Sequence, residues 1–165
     1  NINIILESDE FFDVGISNKT DNNGEMINFK DLLHPLKDLK NQCKKTLKDK
    51  TIIHMFIENY RIDNQDYSIL PKNLNCKNFS LDVRFICISN NLLKNLKEIF
   101  RKYQILVNKV LSANYLLNFQ DEKNQKDIFR LAHETILGHN INEILLVDKS
   151  SENKGFFEKF FDFFS

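Results

Sequence analysis

The sequence has no tryptophan, two prolines and four glycines. The glycines stand singly, at Gly15, Gly24, Gly138 and Gly155. Phosphate-binding loops need clustered glycines, because only glycine lets successive backbone N–H groups close around a phosphate. The sequence therefore does not predict nucleotide binding, and we expect no bound cofactor.

The sequence also lacks an excess of charge of one sign, since 23 lysines and arginines balance 23 aspartates and glutamates. Such a chain has no overall field that would draw it onto nucleic acid, so nucleic acid is not an expected partner. The basic helical patterns at residues 37–50 and 94–102 are interleaved with acidic residues, which favours solvated helix faces or docking sites for acidic tails of partner proteins.

Cysteines and long apolar runs are scarce as well. Cys43, Cys76 and Cys87 are odd in number and widely spaced, which predicts buried thiols in a reducing cytoplasm rather than disulfides. No apolar run approaches the roughly 20 residues of a membrane span, and the N-terminus does not have the pattern of a signal peptide. We expect a cytoplasmic protein, either soluble or peripheral on the inner face of the cell membrane.

What the sequence does contain is a mixture of strand and helix patterns in a chain that is 42% hydrophobic. Pro35 interrupts the first helical pattern, so it either kinks that helix or moves its start to about His34. Residues 18–24 are expected to form turns, residues 67–70 a possible edge strand, and residues 141–147 either helix or strand. Alternation and β-branched runs predict strands at residues 1–6, 11–17, 51–57, 79–89 and 105–111. Three- and four-residue spacing predicts helices at residues 29–47, 92–103, 112–119 and 126–137.

The order of these elements predicts an α+β fold of the strand-helix-strand-strand type. It consists of a small mixed or antiparallel sheet with two amphipathic helices on one face, followed by C-terminal helices. The expected organisation is an α+β subdomain at 1–123, a helical extension at 124–149, a polar linker at 150–155 and a terminal amphipathic helix at 156–165.

The terminal segment is the clearest functional candidate. At about 100° per residue a helix would gather all its phenylalanines on one side and its charged residues on the other. Such a stripe predicts a helix that lies at a membrane interface. The alternative is a helix that packs back on its own domain, because periodicity cannot distinguish a core face from a membrane face. The expected membrane-contacting residues are Phe156, Phe157, Phe160, Phe161, Phe163 and Phe164.

Other candidate sites are weaker. His133 and His139 are six residues apart, which places their rings on different sides of a helix and argues against a metal site. His34 and His54 lie in other elements, and Cys87 has no basic neighbour that would activate it as a nucleophile. We therefore expect no metal site and no catalytic residues, and hence not an enzyme.

Several short segments resemble the FtsA family of actin-like bacterial division proteins. Residues 54–65, HMFIENYRIDNQ, resemble a family pattern of His, an apolar pair, Pro-Gln, an aromatic and Ile-Asp, although Ile57 and Glu58 replace the Pro-Gln. Residues 82–91, DVRFICISNN, and 93–102, LKNLKEIFRK, resemble the strand and helix that follow in the inserted subdomain of the family. The match spans about 26–123, and the GFF at 155–157 resembles the start of the family's membrane-targeting helix.

The resemblance implies a cell-division scaffold or adaptor at the septum, which binds other division proteins or its own copies through a sheet edge and is peripherally anchored to the membrane. The lobe that carries the nucleotide cleft and the FtsZ-tail surface in the family has no counterpart here, which places direct FtsZ binding in doubt. The alternatives are a pilus-assembly or regulatory adaptor of the actin-like superfamily, or a stand-alone ligand- or RNA-binding α+β domain.

Overall fold

The computed structural model describes residues 1–120 and 126–144. Within them, an α+β architecture contains six strands and four helices, which confirms the predicted fold class. The strands are β1 (Ile2–Leu6), β2 (Phe12–Asp21), β3 (Lys50–Ile62), β4 (Gln65–Tyr67), β5 (Asn78–Ser89) and β6 (Val107–Ser112). The helices are α1 (Phe29–Thr46), α2 (Asn90–Arg101), α3 (Ala113–Leu117) and α4 (Ile128–Ile136).

A four-stranded antiparallel sheet in the order β2-β5-β3-β4 forms the centre of the fold. β3 and β4 are joined by a two-residue turn in which Asp63 and Asn64 both have positive φ angles, of 45° and 70°. Such turns match the twist of the flanking strands, and Asp and Asn adopt this conformation more readily than most residues. β4 therefore begins at Gln65 and ends at Tyr67, whereas the sequence pattern placed the edge segment at residues 67–70.

One face of this sheet packs against α1. Leu32, Leu36, Leu39 and Cys43 recur at helical spacing and are buried against alternate residues of β5 and β3, because every second side chain of a strand points to the same face. The facing residues of β5 are Phe79, Leu81, Val83, Phe85 and Cys87. These contacts form the larger hydrophobic core of the described residues.

α1 begins well before Pro35, contrary to the alternative start near His34. Asn28 caps the helix by accepting from the Lys30 N–H at 3.0 Å, while the Asp31 carboxylate accepts from the Asn28 N–H at 2.8 Å. This capping box satisfies N–H groups that have no partner within the helix. Pro35 lies inside α1, where it has no N–H with which to donate an intrahelical hydrogen bond. Its apolar ring is buried.

A second core lies on the opposite face of the sheet, where α3 and α4 pack. Ile86 of β5 and the partly buried Phe56 of β3 contact Tyr115 and Leu116 of α3 and Leu131 of α4. β1 and β6 form a separate parallel pair, which packs its Ile5 and Leu111 against this core. The sheet is therefore covered on both faces near β3 and β5.

Residues 142–144 lie antiparallel beside the middle of β3. The Ile57 N–H donates to the Asn142 carbonyl at 2.9 Å, and the Ile144 N–H donates to the Met55 carbonyl at 2.7 Å. β4 pairs with the far end of β3, so β4 and residues 142–144 share the same edge of that strand. The undecided stretch at 141–147 thus forms an isolated bridge as far as residue 144, and its remainder lies outside the described residues.

Several sequence boundaries need correction. β2 continues to Asp21 through part of the stretch expected to form turns, because β5 supplies a pairing partner along its whole length. β3 continues to Ile62 rather than ending at residue 57, since the Asp63-Asn64 turn lies farther along the chain. The linker at 150–155 and the terminal helix at 156–165 lie outside the described residues.

Candidate functional site

The most conspicuous surface feature is the apolar side of α2. The helix is capped by the Ser89 hydroxyl, which accepts from the Leu92 N–H, and its apolar residues recur at helical spacing as the sequence predicts. No residue of α2 is fully buried, and Leu92, Leu93, Leu96 and Phe100 are partly buried. Ile99 is 54% exposed, and beyond the helix Tyr103 is 73% and Leu106 is 64% exposed. We call these three residues the α2 surface.

The end of α2 holds this surface in a defined geometry. The Tyr103 and Ile105 N–H groups both donate to the Phe100 carbonyl, and Gln104 has a positive φ of 58°. A left-handed residue after a helix terminates it and allows the last carbonyls to find donors. The chain then reaches Leu106, whose carbonyl accepts from the Ile2 N–H at the start of β1. The α2 surface is thus tied to the parallel strand pair.

Basic side chains accompany the α2 surface. Lys94, Lys97, Arg101 and Lys102 are all exposed on or just after α2, and Glu98 is the one acidic residue of the helix. The Lys94 ammonium lies 3.9 Å from the Glu98 carboxylate, an exposed pair of the kind that contributes little to stability. The remaining positive charges would attract an acidic segment that docks on this side of the protein.

A small cleft lies behind α2, between β3, β6 and α4. Its volume is about 150 Å³, below the volumes typical of small-molecule sites. Its lining includes Thr51, Ile53, His54, Lys97, Lys109 and Glu143. The Thr51 hydroxyl donates to the Asn90 side chain, and His54 and Glu143 bond to each other, so these three groups are engaged within the protein. We assign no ligand to this cleft.

His54 belongs to a buried hydrogen-bond network that no pattern in the sequence predicts. The His54 side chain is 1% exposed, its Nδ1 lies 2.9 Å from Glu143 Oε1, and its Nε2 accepts from the Ser112 N–H at 3.1 Å. Because Nε2 accepts, the ring proton belongs on Nδ1, from which it is donated to the carboxylate. The Tyr115 hydroxyl donates to Glu143 Oε2 at 2.9 Å and accepts from the Asn140 amide at 3.0 Å.

This network is structural in character. The Nε2 lone pair of His54 already accepts a backbone N–H, so the ring offers no free nitrogen with which to take a proton from a substrate. Burial and the nearby Glu143 raise the pKa of the Tyr115 hydroxyl, which keeps it protonated as a donor. The group therefore holds the chain around residue 143 against β3. Residues 54, 115 and 143 are far apart in sequence, so no spacing rule could have identified them.

Polar side chains of β2, β3 and β5 form a surface on the face of the sheet opposite α1. The Ser17 hydroxyl donates to Asp82, whose other carboxylate oxygen accepts from the Asn59 amide. Arg84 donates to both carboxylate oxygens of Glu58, at 2.8 and 2.9 Å. The Asp82 carboxylate is therefore hydrogen-bonded to neutral side chains of both neighbouring strands, and Arg84 and Glu58 form an ion pair across two strands.

The other candidate residues from the sequence are three cysteines and two histidines. Cys43, Cys76 and Cys87 are buried and free, which confirms the interpretation of buried thiols. Burial raises the pKa of Cys87 to about 12, as expected for a core residue. His133 and His139 are exposed, and among residues 1–120 and 126–144 no His, Cys, Asp and Glu side chains cluster as metal ligands.

The predicted membrane-contacting residues lie outside the described residues, so their membrane contact stays a prediction. They are Phe156, Phe157, Phe160, Phe161, Phe163 and Phe164. Among the helices that the structure describes, none combines the length and apolar character needed to cross a bilayer.

No protein-family model and no curated protein sequence matches the chain. The residues themselves, above all the α2 surface and its basic surroundings, therefore carry the functional inference.

Proposed function

We propose that this chain is a non-enzymatic interaction module that acts as a scaffold or adaptor in bacterial cell division and attaches peripherally to the membrane. The observation that carries the proposal is the α2 surface, in which Ile99 of α2 and Tyr103 and Leu106 just beyond it are each more than half exposed. The sequence resemblance to the inserted subdomain of the FtsA family supports the cellular role.

The α2 surface has the chemistry of a protein-docking site. Ile99, Tyr103 and Leu106 expose apolar area at the end of α2 and in the segment that follows it. Burying apolar area is worth roughly 25 cal/mol per Å², and tyrosine is enriched among residues that dominate binding energies. A partner that covers these three side chains would gain most of its affinity here.

The charges around the surface support an acidic partner. Lys97, Arg101 and Lys102 favour an acidic segment of another division protein, with apolar side chains for the surface itself. Association through exposed charges weakens as salt is added, because the charges are screened within about a Debye length. Binding of this partner should therefore be salt-sensitive.

The phenylalanine-rich C-terminus supplies the second contact of the proposal. Lys154 and Lys159 are balanced by Glu152, Glu158 and Asp162, so attraction to anionic lipids is small. Membrane attachment through this segment would rest on burial of aromatic rings and should survive high salt. The two contacts are thus distinguishable by their salt dependence.

A fluorescent fusion of the full chain in dividing cells tests the proposal. The unaltered protein should form a ring at mid-cell. Ile99→Glu should leave the membrane signal but abolish the ring, because it places a charge in the α2 surface. Ile69→Glu is the matched control, since Ile69 is 55% exposed but lies in the loop after β4.

The membrane contact needs its own variant. Replacing Phe160 and Phe161 together by glutamate should release the fusion from the membrane and abolish sedimentation with liposomes. The proposal is wrong if the unaltered protein stays diffuse in dividing cells, or if Ile69→Glu disrupts the ring as strongly as Ile99→Glu.

A further inference from the structure

β2 presents a long, unpaired strand edge. The strand has ten residues and pairs only with β5 among the residues that the structure describes, so its other edge carries free backbone groups. Such an edge is a template for another strand. Gly15, in the middle of β2, is exposed, and no described atom lies within 4 Å of the position that a Cβ would take, so this point of the sheet face is uncovered.

The hydrogen bonds at the end of β2 show which backbone groups point outward. The Asn22 N–H donates to the Lys77 carbonyl, and on the other side of β5 the Asp63 N–H donates to the Asn78 carbonyl. Antiparallel pairing alternates along a strand, so the even-numbered residues of β2 bond to β5. The N–H and C=O groups of Asp13, Gly15, Ser17 and Lys19 therefore point to the free edge.

Two of the three charged residues of β2, Asp13 and Lys19, lie at equal distances on either side of Ile16 and have opposite charges. We propose that two copies of this chain pair antiparallel through β2, with the two-fold axis at Ile16. In that register Asp13 of each copy lies opposite Lys19 of the other, and Gly15 lies opposite Ser17. These are the residues whose backbone groups point outward, so each of them can exchange hydrogen bonds with its counterpart.

Neighbouring registers lack this match. A register shift of one residue would turn the side chains of one strand to the opposite face, so only shifts of two residues are compatible with the sheet. Each such shift moves the two-fold axis by one residue. An axis at Ser17 would place Asp13 opposite Asp21, a like-charge pair that destabilises a sheet. An axis at Gly15 would place Asp13 opposite Ser17 and leave Lys19 without an acidic counterpart. The register centred on Ile16 is the one that sets Asp13 against Lys19.

A charge-reversal cycle tests the pairing. Asp13 and Lys19 are exposed and about 20 Å apart along one extended strand, so they cannot interact within one copy. Asp13→Lys and Lys19→Asp should each weaken dimerisation by about tenfold, because each creates two symmetry-related like-charge contacts. The double variant should restore the affinity of the unaltered chain. Sedimentation velocity over a range of protein concentrations measures all four.

Cysteine cross-linking tests the position of the axis. Paired Ile16 residues would have Cα atoms about 4.5 Å apart, within the range that a disulfide spans. Ile16→Cys should therefore form a covalent dimer under mild oxidation. Asn18→Cys is the control, because it lies two residues from the axis and its two copies would be too far apart. The native cysteines are buried and give the background level.

This inference rests on the proposed function for its biological purpose, since a scaffold gains avidity from self-association, but it is measured in solution. Ile99→Glu should leave the dimer intact. An unaltered chain that dimerises in solution but forms no ring at mid-cell contradicts only the proposed function. A chain that sediments as a monomer at all concentrations overturns the inference. So does a double charge variant that dimerises no better than the single ones, or equal cross-linking at positions 16 and 18.

Discussion

Three tyrosine-to-phenylalanine substitutions should lower the free energy of unfolding by different amounts, according to the group that each hydroxyl contacts. Tyr115 donates to the buried Glu143 carboxylate, and Tyr60 donates to the Asn142 amide oxygen at 3.1 Å. Tyr67 donates to the exposed Gln65 side chain at 2.8 Å. Each substitution removes one oxygen and keeps the ring, so differences among them report on the hydrogen bonds.

The magnitudes follow from burial and charge. Tyr115→Phe leaves one oxygen of a buried carboxylate without its donor, which should cost about 1.5 to 3 kcal/mol of the free energy of unfolding. Tyr60→Phe removes a bond between neutral groups and should cost about 0.5 to 1.5 kcal/mol. Tyr67→Phe should change the free energy by no more than about 0.5 kcal/mol, because water can replace the partner.

Urea denaturation of the full chain, followed by circular dichroism, measures the three free energies. A common slope against urea concentration would show that the variants unfold from comparably compact states. The structural interpretation of the His54 network is refuted if Tyr115→Phe is no more destabilising than Tyr67→Phe.

Three further predictions concern the whole fold. Burial raises the pKa of Cys87 and that of Tyr60 to about 12, so the unfolded chain loses these protons first and the free energy of unfolding should fall between about pH 9 and pH 12 in alkaline urea titrations. Asn28→Ala should lower the free energy of unfolding by about 1 kcal/mol, measured by urea denaturation, because it removes the cap of α1. Leu32→Ala should lower the midpoint of thermal unfolding sharply, at a cost of about 2 to 5 kcal/mol, since Leu32 is fully buried. Exposed Leu106→Ala is its control and should stay within about 0.5 kcal/mol.

Local patterns were sufficient to predict most elements of the fold. The spacing of Leu32, Leu36 and Leu39 predicts α1, and Ser89 and Ser112 stand where the caps of α2 and α3 are found. These features depend on residues close in sequence, whose physical preferences do not require knowledge of the rest of the chain.

The errors arise where distant residues decide the outcome. β2 extends through a polar stretch with poor strand propensity because β5 offers ten consecutive pairing partners. The apolar side of α2 has the periodicity of a core helix, yet its exposure depends on which elements pack nearby. The partners of His54 could not be predicted for the same reason, as 89 positions separate it from Glu143.

The isolated bridge formed by residues 142–144 also bears on how the chain matures on the ribosome. β3 is synthesised early, but the backbone groups of Met55 and Ile57 find their bonding partners only after Asn142 and Ile144 have emerged. Until then, the middle of a strand rich in apolar residues has an open side. Contacts this remote slow folding, so the nascent protein passes through an interval in which chaperone binding competes with aggregation.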